Sequence, residues 1–266
     1  MTGPPDNHNH FIACADIRGV IAAAAAAGVG EIAFAEHVFH IEEARALHPW
    51  LRERFEPEGP PMTHAAYLAT IDAARSTAEI PLRIGLEIDA RADDPEYEAA
   101  LAGFRARYEP SWDVVIGSVH VLDGDECIEG ETVTAPPEAA WTDYLDRLTA
   151  AAQTGSYDVI SHPVRLAASV PETPPWLGRR LADLARAAAR HDVAVEMNGA
   201  DVRRCPDLVA LLVDGCARSG TSISLGSDAH RPAAAGRALD GRDLLRSAGI
   251  DRVVGFERRT RFGIAV

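Results

Sequence analysis

Asp6-Asn7-His8-Asn9-His10 is the stretch around which the rest of the chain is read. In an extended segment residues i and i+2 face one side, so His8 and His10 project together, about 6.5–7 Å apart along the backbone. Neutral imidazole is the commonest metal ligand, and a pair fixed by the strand pleat loses little further entropy on closing around one ion. Taken alone, the stretch reads equally as a frayed polar N-terminus that contains two histidines. The recurrence of ionisable residues after later apolar runs changes that balance.

Ile32-Ala33-Phe34-Ala35 has the look of a strand buried on both faces, and it delivers Glu36 and His37 at its end. Leu82 to Ile88 carries Glu87, Val114 to Val119 runs into His120, and Tyr157 to Ser161 runs into His162-Pro163. Val193 to Met197 carries Glu196 and leads to Asn198; Ser222 to Gly226 leads to Ser227-Asp228-Ala229-His230; Arg252 to Phe256 closes the pattern. Between these runs the sequence predicts helices over Asp16–Ala27, Thr63–Glu79, Asp94–Tyr108, Pro137–Thr154, Leu177–His191, Pro206–Arg218 and Gly241–Ala248, with Gly28 and Gly30 stopping the first. About seven strands alternating with helices imply a parallel β/α architecture. Histidines and acids gathered at the C-terminal strand ends favour a closed barrel over an open doubly wound sheet, which usually carries an early glycine-rich phosphate loop that is missing here. One barrel-sized domain spanning 1–266 is expected, with a charged, proline-containing excursion from His40 to Pro61 of the kind that covers or lines a site.

Composition limits the function. The formal net charge of −14 repels phosphate backbones and anionic membrane surfaces, so extended nucleic acid and membranes are not the expected partners. All 26 basic residues are arginines, which removes Schiff-base lysines and carboxylated-lysine metal bridges. Cys14, Cys127, Cys205 and Cys216 are widely spaced and form no C-x-x-C pair; with no signal-peptide pattern at the start, a cytoplasmic location is expected. The alanine run from Ala22 to Ala27 lacks the length and apolarity of a membrane span.

His8, His10, His37, Glu87, His120, His162, Asp228 and His230 together make a nitrogen and oxygen ligand set large enough for two or three divalent ions. In order and spacing, Asp6-x-His8-x-His10, Glu36-His37, Gly85-Leu86-Glu87, Gly117-Ser118-Val119-His120, His162-Pro163, Glu196-Met197-Asn198 and Gly226-Ser227-Asp228-Ala229-His230 resemble the polymerase and histidinol phosphatase (PHP) superfamily, most closely its histidinol-phosphatase branch. The resemblance covers nearly the whole chain. It implies an α/β fold, a distorted seven-stranded (β/α)7 TIM-like barrel. It further implies a centre of two or three zinc, manganese or iron ions: one held by His8, His10, Glu87 and Asp228, a second reached by Glu87 as a bridge and held also by His120 and His162, a third by His37 and His230. The implied activity is hydrolysis of a small phosphomonoester, L-histidinol phosphate in histidine biosynthesis, by metal-activated water.

Asp16 departs from the pattern, since many relatives carry a histidine there. It is either an oxygen ligand of the third metal or the cap of the first helix. Asp16 and His230 are candidates by position for the acid that protonates the leaving group, beside Glu87 and Asp228 in the catalytic set. Arg165, Arg203 and Arg204 fall where phosphate contacts are expected, and a guanidinium matches a phosphoryl group with two parallel hydrogen bonds; each is otherwise a surface arginine. Glu196 and Asn198 fit a substrate-contacting or supporting role. His40, His48 and His64, in or next to the charged excursion, are read as isolated surface histidines, with substrate contact as the alternative, and His191 as a helix-end residue. A phosphodiesterase or nucleotide-directed enzyme is the nearest alternative, followed by an amidohydrolase-type barrel and a non-catalytic metal-binding barrel.

Overall fold

Strand β2, Glu31–His37, is buried along its whole length in the computed structural model, as its continuous apolar run demands. The structure describes residues 3–47, 51, 61–91, 94–123, 126–128 and 133–266. Of the excursion expected from His40 to Pro61, positions 48–50 and 52–60, His48 included, lie outside the described residues.

The chain is α/β. Strands β1 (Pro5–Asp6), β2, β3 (Leu82–Asp89), β4 (Val114–Ser118), β5 (Val159–Ile160), β6 (Ala194–Asn198), β7 (Ile223–Gly226), β8 (Arg252–Glu257) and β9 (Thr260–Ala265) form one sheet in sequence order. Every neighbouring pair from β1 to β8 is parallel, and β8–β9 is antiparallel. Helices α1 (Ile17–Ala27), α2 (His64–Arg75), α3 (Pro95–Tyr108), α4 (Pro137–Thr154), α5 (Leu177–Arg190), α6 (Gly199–Arg204), α7 (Pro206–Ser219) and α8 (Arg242–Ser247) supply the crossovers, with α5 packed against α4 and α7. Among the described residues no helix is long and apolar enough to cross a membrane.

Two expectations need correction: among the described residues the strands number nine, and their sheet is not a closed ladder. The opening segment does approach β7, because Asn7 N donates to Leu225 O at 2.8 Å, Asp228 N to His8 O at 2.8 Å and His10 N to Ala229 O at 3.0 Å. On its other flank Ala35 N donates to Asn9 O at 2.9 Å. His8 and His10 are therefore held between β2 and the end of β7.

The ninth strand went unseen because its hairpin turn is Arg258-Arg259, not the Asn-Gly or Asp-Gly that announces a two-residue connection. Both arginines adopt positive φ, 49° and 59°. Ties beyond the hairpin hold that conformation: Arg259 Nε lies 2.9 Å from Asp158 Oδ2 and Nη2 3.0 Å from Asp158 Oδ1, while Arg258 N donates to Asp113 Oδ1 at 2.9 Å.

Strand alternation divides the core. Ile32 and Phe34 join the large layer beneath the helices, whereas Ala33 and Ala35 join Val114, Ile116, Val159 and Ala194 in a second, inner cluster. Val254 and Phe256 of β8 complete that cluster, so the final hairpin supplies the bulk that small residues of the parallel strands leave unfilled.

Candidate metal centre

The site forms where four strand ends converge on Glu87. Its carboxylate is buried in β3, and its two oxygens face different histidine groups. Oε2 lies 2.7 Å from His37 Nδ1, 3.3 Å from His8 Nε2 and 3.6 Å from His10 Nε2. Oε1 lies 3.2 Å from His162 Nε2, 3.6 Å from His120 Nε2, and accepts from Ser118 Oγ at 2.5 Å. Asp228 adds Oδ1 at 3.2 Å from His10 Nε2. His230 is the most exposed member, its Nε2 3.2 Å from His37 Nε2.

Two of the inward-facing rings have the opposite nitrogen hydrogen-bonded to a carboxylate, and a third has a carboxylate near it. His8 Nδ1 pairs with Glu196 Oε1 at 2.8 Å, His120 Nδ1 with Asp89 Oδ1 at 3.0 Å, and His10 Nδ1 faces Glu36 Oε2 at 3.5 Å. Tyr144 donates to His162 O at 2.8 Å, with its hydroxyl 3.4 Å from that ring's Nδ1. Such partners fix ring orientation and leave Nε2 for an electrophile. Glu196 Oε2 also accepts the His162 amide at 2.7 Å, and a Cβ at position 226 would overlap Glu196 Oε1 and His8 Cβ, so Gly226 is needed for this close packing. His162 and Asp228 have positive φ, 29° and 51°, so the backbone is strained at two positions of the cluster.

Electrostatics favour positive charge here. Burial by itself lowers the His8 imidazole pKa, but Glu87, Glu196 and Asp228 raise it well above the ordinary value. Burial likewise works against His10, yet Asp228 and Glu36 bring it up to about 9. His37 is pushed by burial down to about 3 despite Glu87, leaving it a neutral ligand. Burial raises the carboxyls of Glu87 and Asp228, but the histidines around Glu87, and Arg165 with His8 beside Asp228, hold both well below the usual range.

The donor set fits divalent ions. His8 Nε2, His10 Nε2 and Glu87 Oε2 are buried with no hydrogen-bond partner, which is costly unless a cation joins them. Among the described residues three groups have ligand atoms close enough to share an ion: His8, His10 and Glu87; His37, Glu87 and His120; His10, His37 and His230. His37 thus stands with Glu87 and His120 as well as with His230, where the sequence had placed it only in the third site.

Several expected site residues lie elsewhere. Asp16 is exposed and accepts from Gly19 N at 2.9 Å as the N-cap of α1, so the capping alternative describes it, and among the described residues no contact joins it to the histidines. Arg203 and Arg204 are exposed in the last turn of α6, with Arg203 Nη1 3.1 Å from Asp240 Oδ2. The reason is helical geometry: α6 turns that end outward. Glu196 and Asn198 are buried beneath the rings, Asn198 capping α6 through Ala200 N at 2.9 Å, so neither faces an open substrate position. Arg165 is brought to the cluster, with Nη2 2.8 Å from Asp228 Oδ2.

From the sequence Glu36 enters only as the neighbour of His37 and His40 only as a surface histidine, while Asp89 and Asp201 are not singled out there. Glu36 accepts from the amides of Phe11 and Ile12 at 2.5 and 2.9 Å, clamping the chain just after His10. His40, expected at the surface, is buried 3.6 Å from Glu36 Oε2; His64 is buried too and accepts from Trp112 Nε1 at 2.9 Å. Asp89 carried a readable signal, since it lies two residues beyond Glu87 on one strand and so on the same face. Asp201 carried none, because α6 itself was not foreseen.

A family model described as "PHP domain" matches residues 6–200. Among solved structures, the "putative histidinol phosphatase hisK from Listeria monocytogenes" aligns with a TM-score of 0.69 at 16% identity, covering 89% of this chain and 98% of that one. A "putative prolidase from Bifidobacterium longum" aligns at a TM-score of 0.44 and 14% identity, over 94% of this chain and 65% of that one. No curated protein sequence matches the chain.

Proposed function

The chain belongs to the PHP domain family, and on that premise we propose that it is a metal-dependent phosphatase that hydrolyses a small phosphomonoester, with L-histidinol phosphate as the favoured substrate. Strands β1 to β7 are read as the wall of a distorted barrel around the centre. The observation that carries the reading is Glu87, with Oε2 toward His8, His10 and His37 and Oε1 toward His120 and His162, beside an arginine at Asp228.

His8, His10, His37, Glu87, His120, His162, Asp228 and His230 would hold two or three ions. When bound, these ions supply Lewis acidity against the phosphoryl oxygens and make water acidic enough to serve as the nucleophile near neutral pH. Glu196 and Asp89 keep the ring nitrogens of His8 and His120 directed inward, so little reorganisation is needed during turnover. Arg165 presents positive charge to the phosphoryl group from the Asp228 side. With two ions bound, His230 at the rim stays off the metal and would protonate the leaving alkoxide.

A phosphate-release screen over phosphomonoesters and phosphodiesters, with manganese-, zinc- and iron-loaded protein, tests this. Monoester turnover with a preference for histidinol phosphate is expected, and Arg165→Ala should lower kcat/KM about 10–100-fold, the scale of one charge-assisted contact. Equal rates on unrelated monoesters would remove the histidinol assignment alone. A clear preference for diesters with Arg165→Ala unaffected would replace the phosphomonoesterase by a phosphodiesterase.

A further inference from the structure

Arg165 follows β5, its amide donating to His162 O at 2.9 Å, and its guanidinium is enclosed. Two carboxylates meet it on different edges: Asp201 Oδ1 lies 2.7 Å from Nε, and Asp228 Oδ2 2.8 Å from Nη2. Asp228 has a second task, because its other oxygen faces His10 Nε2 at 3.2 Å. Asp201 has no comparable division of labour. Its side chain is buried, and Oδ2 has no hydrogen-bond partner, so its charge is devoted to Arg165.

The path that brings Asp201 there is specific. Asn198 ends β6 and caps α6 with its own side chain. Gly199 lets that helix sit directly against the backbone of Arg237 and Ala238, where a Cβ would overlap both. Asp201 then falls in the first turn of α6, under the loop that carries Arg165. A six-residue helix adds little to the core; its placement delivers this one carboxylate.

We propose that Asp201 is a positioning residue that fixes the Arg165 guanidinium by its Nε edge, so that Arg165 can bind a phosphoryl oxygen without drawing Asp228 away from the histidine cluster. The proposal rests on the phosphomonoesterase reading above. A guanidinium is planar, and anchoring one edge sets the direction of the remaining donors. A buried arginine needs compensating charge; with Asp201 neutralised, Arg165 turns toward Asp228 as its remaining carboxylate. Phosphate then competes with a protein carboxylate for the same donors.

The test uses manganese-loaded wild type, Asp201→Asn, Arg165→Ala and the double variant, with inorganic phosphate as the probe in titration calorimetry and elemental analysis for metal content. Asp201→Asn should weaken phosphate binding about tenfold with metal content unchanged. It should have no further effect when Arg165 is already Ala, a coupling that a merely structural role would not produce. Asp201→Glu, which keeps the charge but displaces it by one methylene, should weaken binding in the same direction and carries the test if the Asn variant does not fold. Wild-type phosphate affinity in the variants that fold, or the same loss in the Arg165→Ala background, would overturn the positioning role. Failure of the wild type both to bind phosphate and to hydrolyse any monoester would instead overturn the reading beneath it.

Discussion

Glu87 Oε2 lies 2.7 Å from His37 Nδ1, across the pairing that sets His37 of β2 beside Glu87 of β3. Adjacent parallel strands in this register bring an acid and an imidazole, fifty residues apart in the chain, to the same height in the sheet. Because the other Glu87 oxygen serves His120 and His162, one carboxylate links the two histidine groups. Glu87→Ala should therefore lower bound metal by at least one ion per chain and reduce turnover by on the order of 10²–10³-fold. Elemental analysis and phosphate release check both; full metal content with unchanged rate would exclude the link.

Removal of the ions should destabilise the fold. The metal-free cluster leaves His8 Nε2, His10 Nε2 and Glu87 Oε2 buried without hydrogen-bond partners, and an ion that binds only the native state stabilises it by mass action. A chelator should lower Tm, and manganese or zinc should restore it, with about 2.7 kcal/mol expected when free metal is a hundred times Kd. A Tm indifferent to chelation and reloading would count against a resident metal.

Glu196 accepts from three donors: His8 Nδ1 on one oxygen, His162 N and Asn198 Nδ2 on the other. Glu196→Gln must turn an amide NH2 toward one of them. Metal affinity should fall about 10–100-fold, the usual scale for a residue that orients a ligand. Metal-competition titration measures this, and an unchanged affinity would mean that His8 orients itself.

Asp16→Ala removes the side-chain acceptor for Gly19 N at the start of α1. Stability should drop by about 0.5–2 kcal/mol while metal content stays as in wild type. Denaturant unfolding reads the first quantity and elemental analysis the second. Loss of one ion per chain would return Asp16 to the ligand set.

Phe256 fills the inner cluster with Ala33, Ala35, Val114 and Ile116. Truncation to Ala leaves a cavity among residues too small to close it, so a loss of about 3–5 kcal/mol is expected. Urea unfolding should show it as a lower midpoint. A loss under 1 kcal/mol would show that β8 does not support the parallel strands from within.

What the sequence by itself determined is whatever strand geometry and local chemistry control. The two-residue period puts His8 with His10 and sets Ile32 and Phe34 on the face opposite Ala33 and Ala35; apolar runs ending in His, Asp or Glu locate the strand ends; and the glycine at 28 ends α1 in a left-handed turn, φ 90°. Those features depend on neighbours within a few residues. Tertiary structure decided the remainder, because it depends on where separate strands and loops arrive. Only packing shows that Asp16 is spent on an exposed cap while Glu36 turns inward to the amides that follow His10, since both are acids close to the histidines in the chain. Only the fold carries Arg203 outward and Asp201, two residues earlier, to Arg165: two residues are about half a turn of helix, which reverses the direction of a side chain, and nothing in the residue types says which way the helix lies.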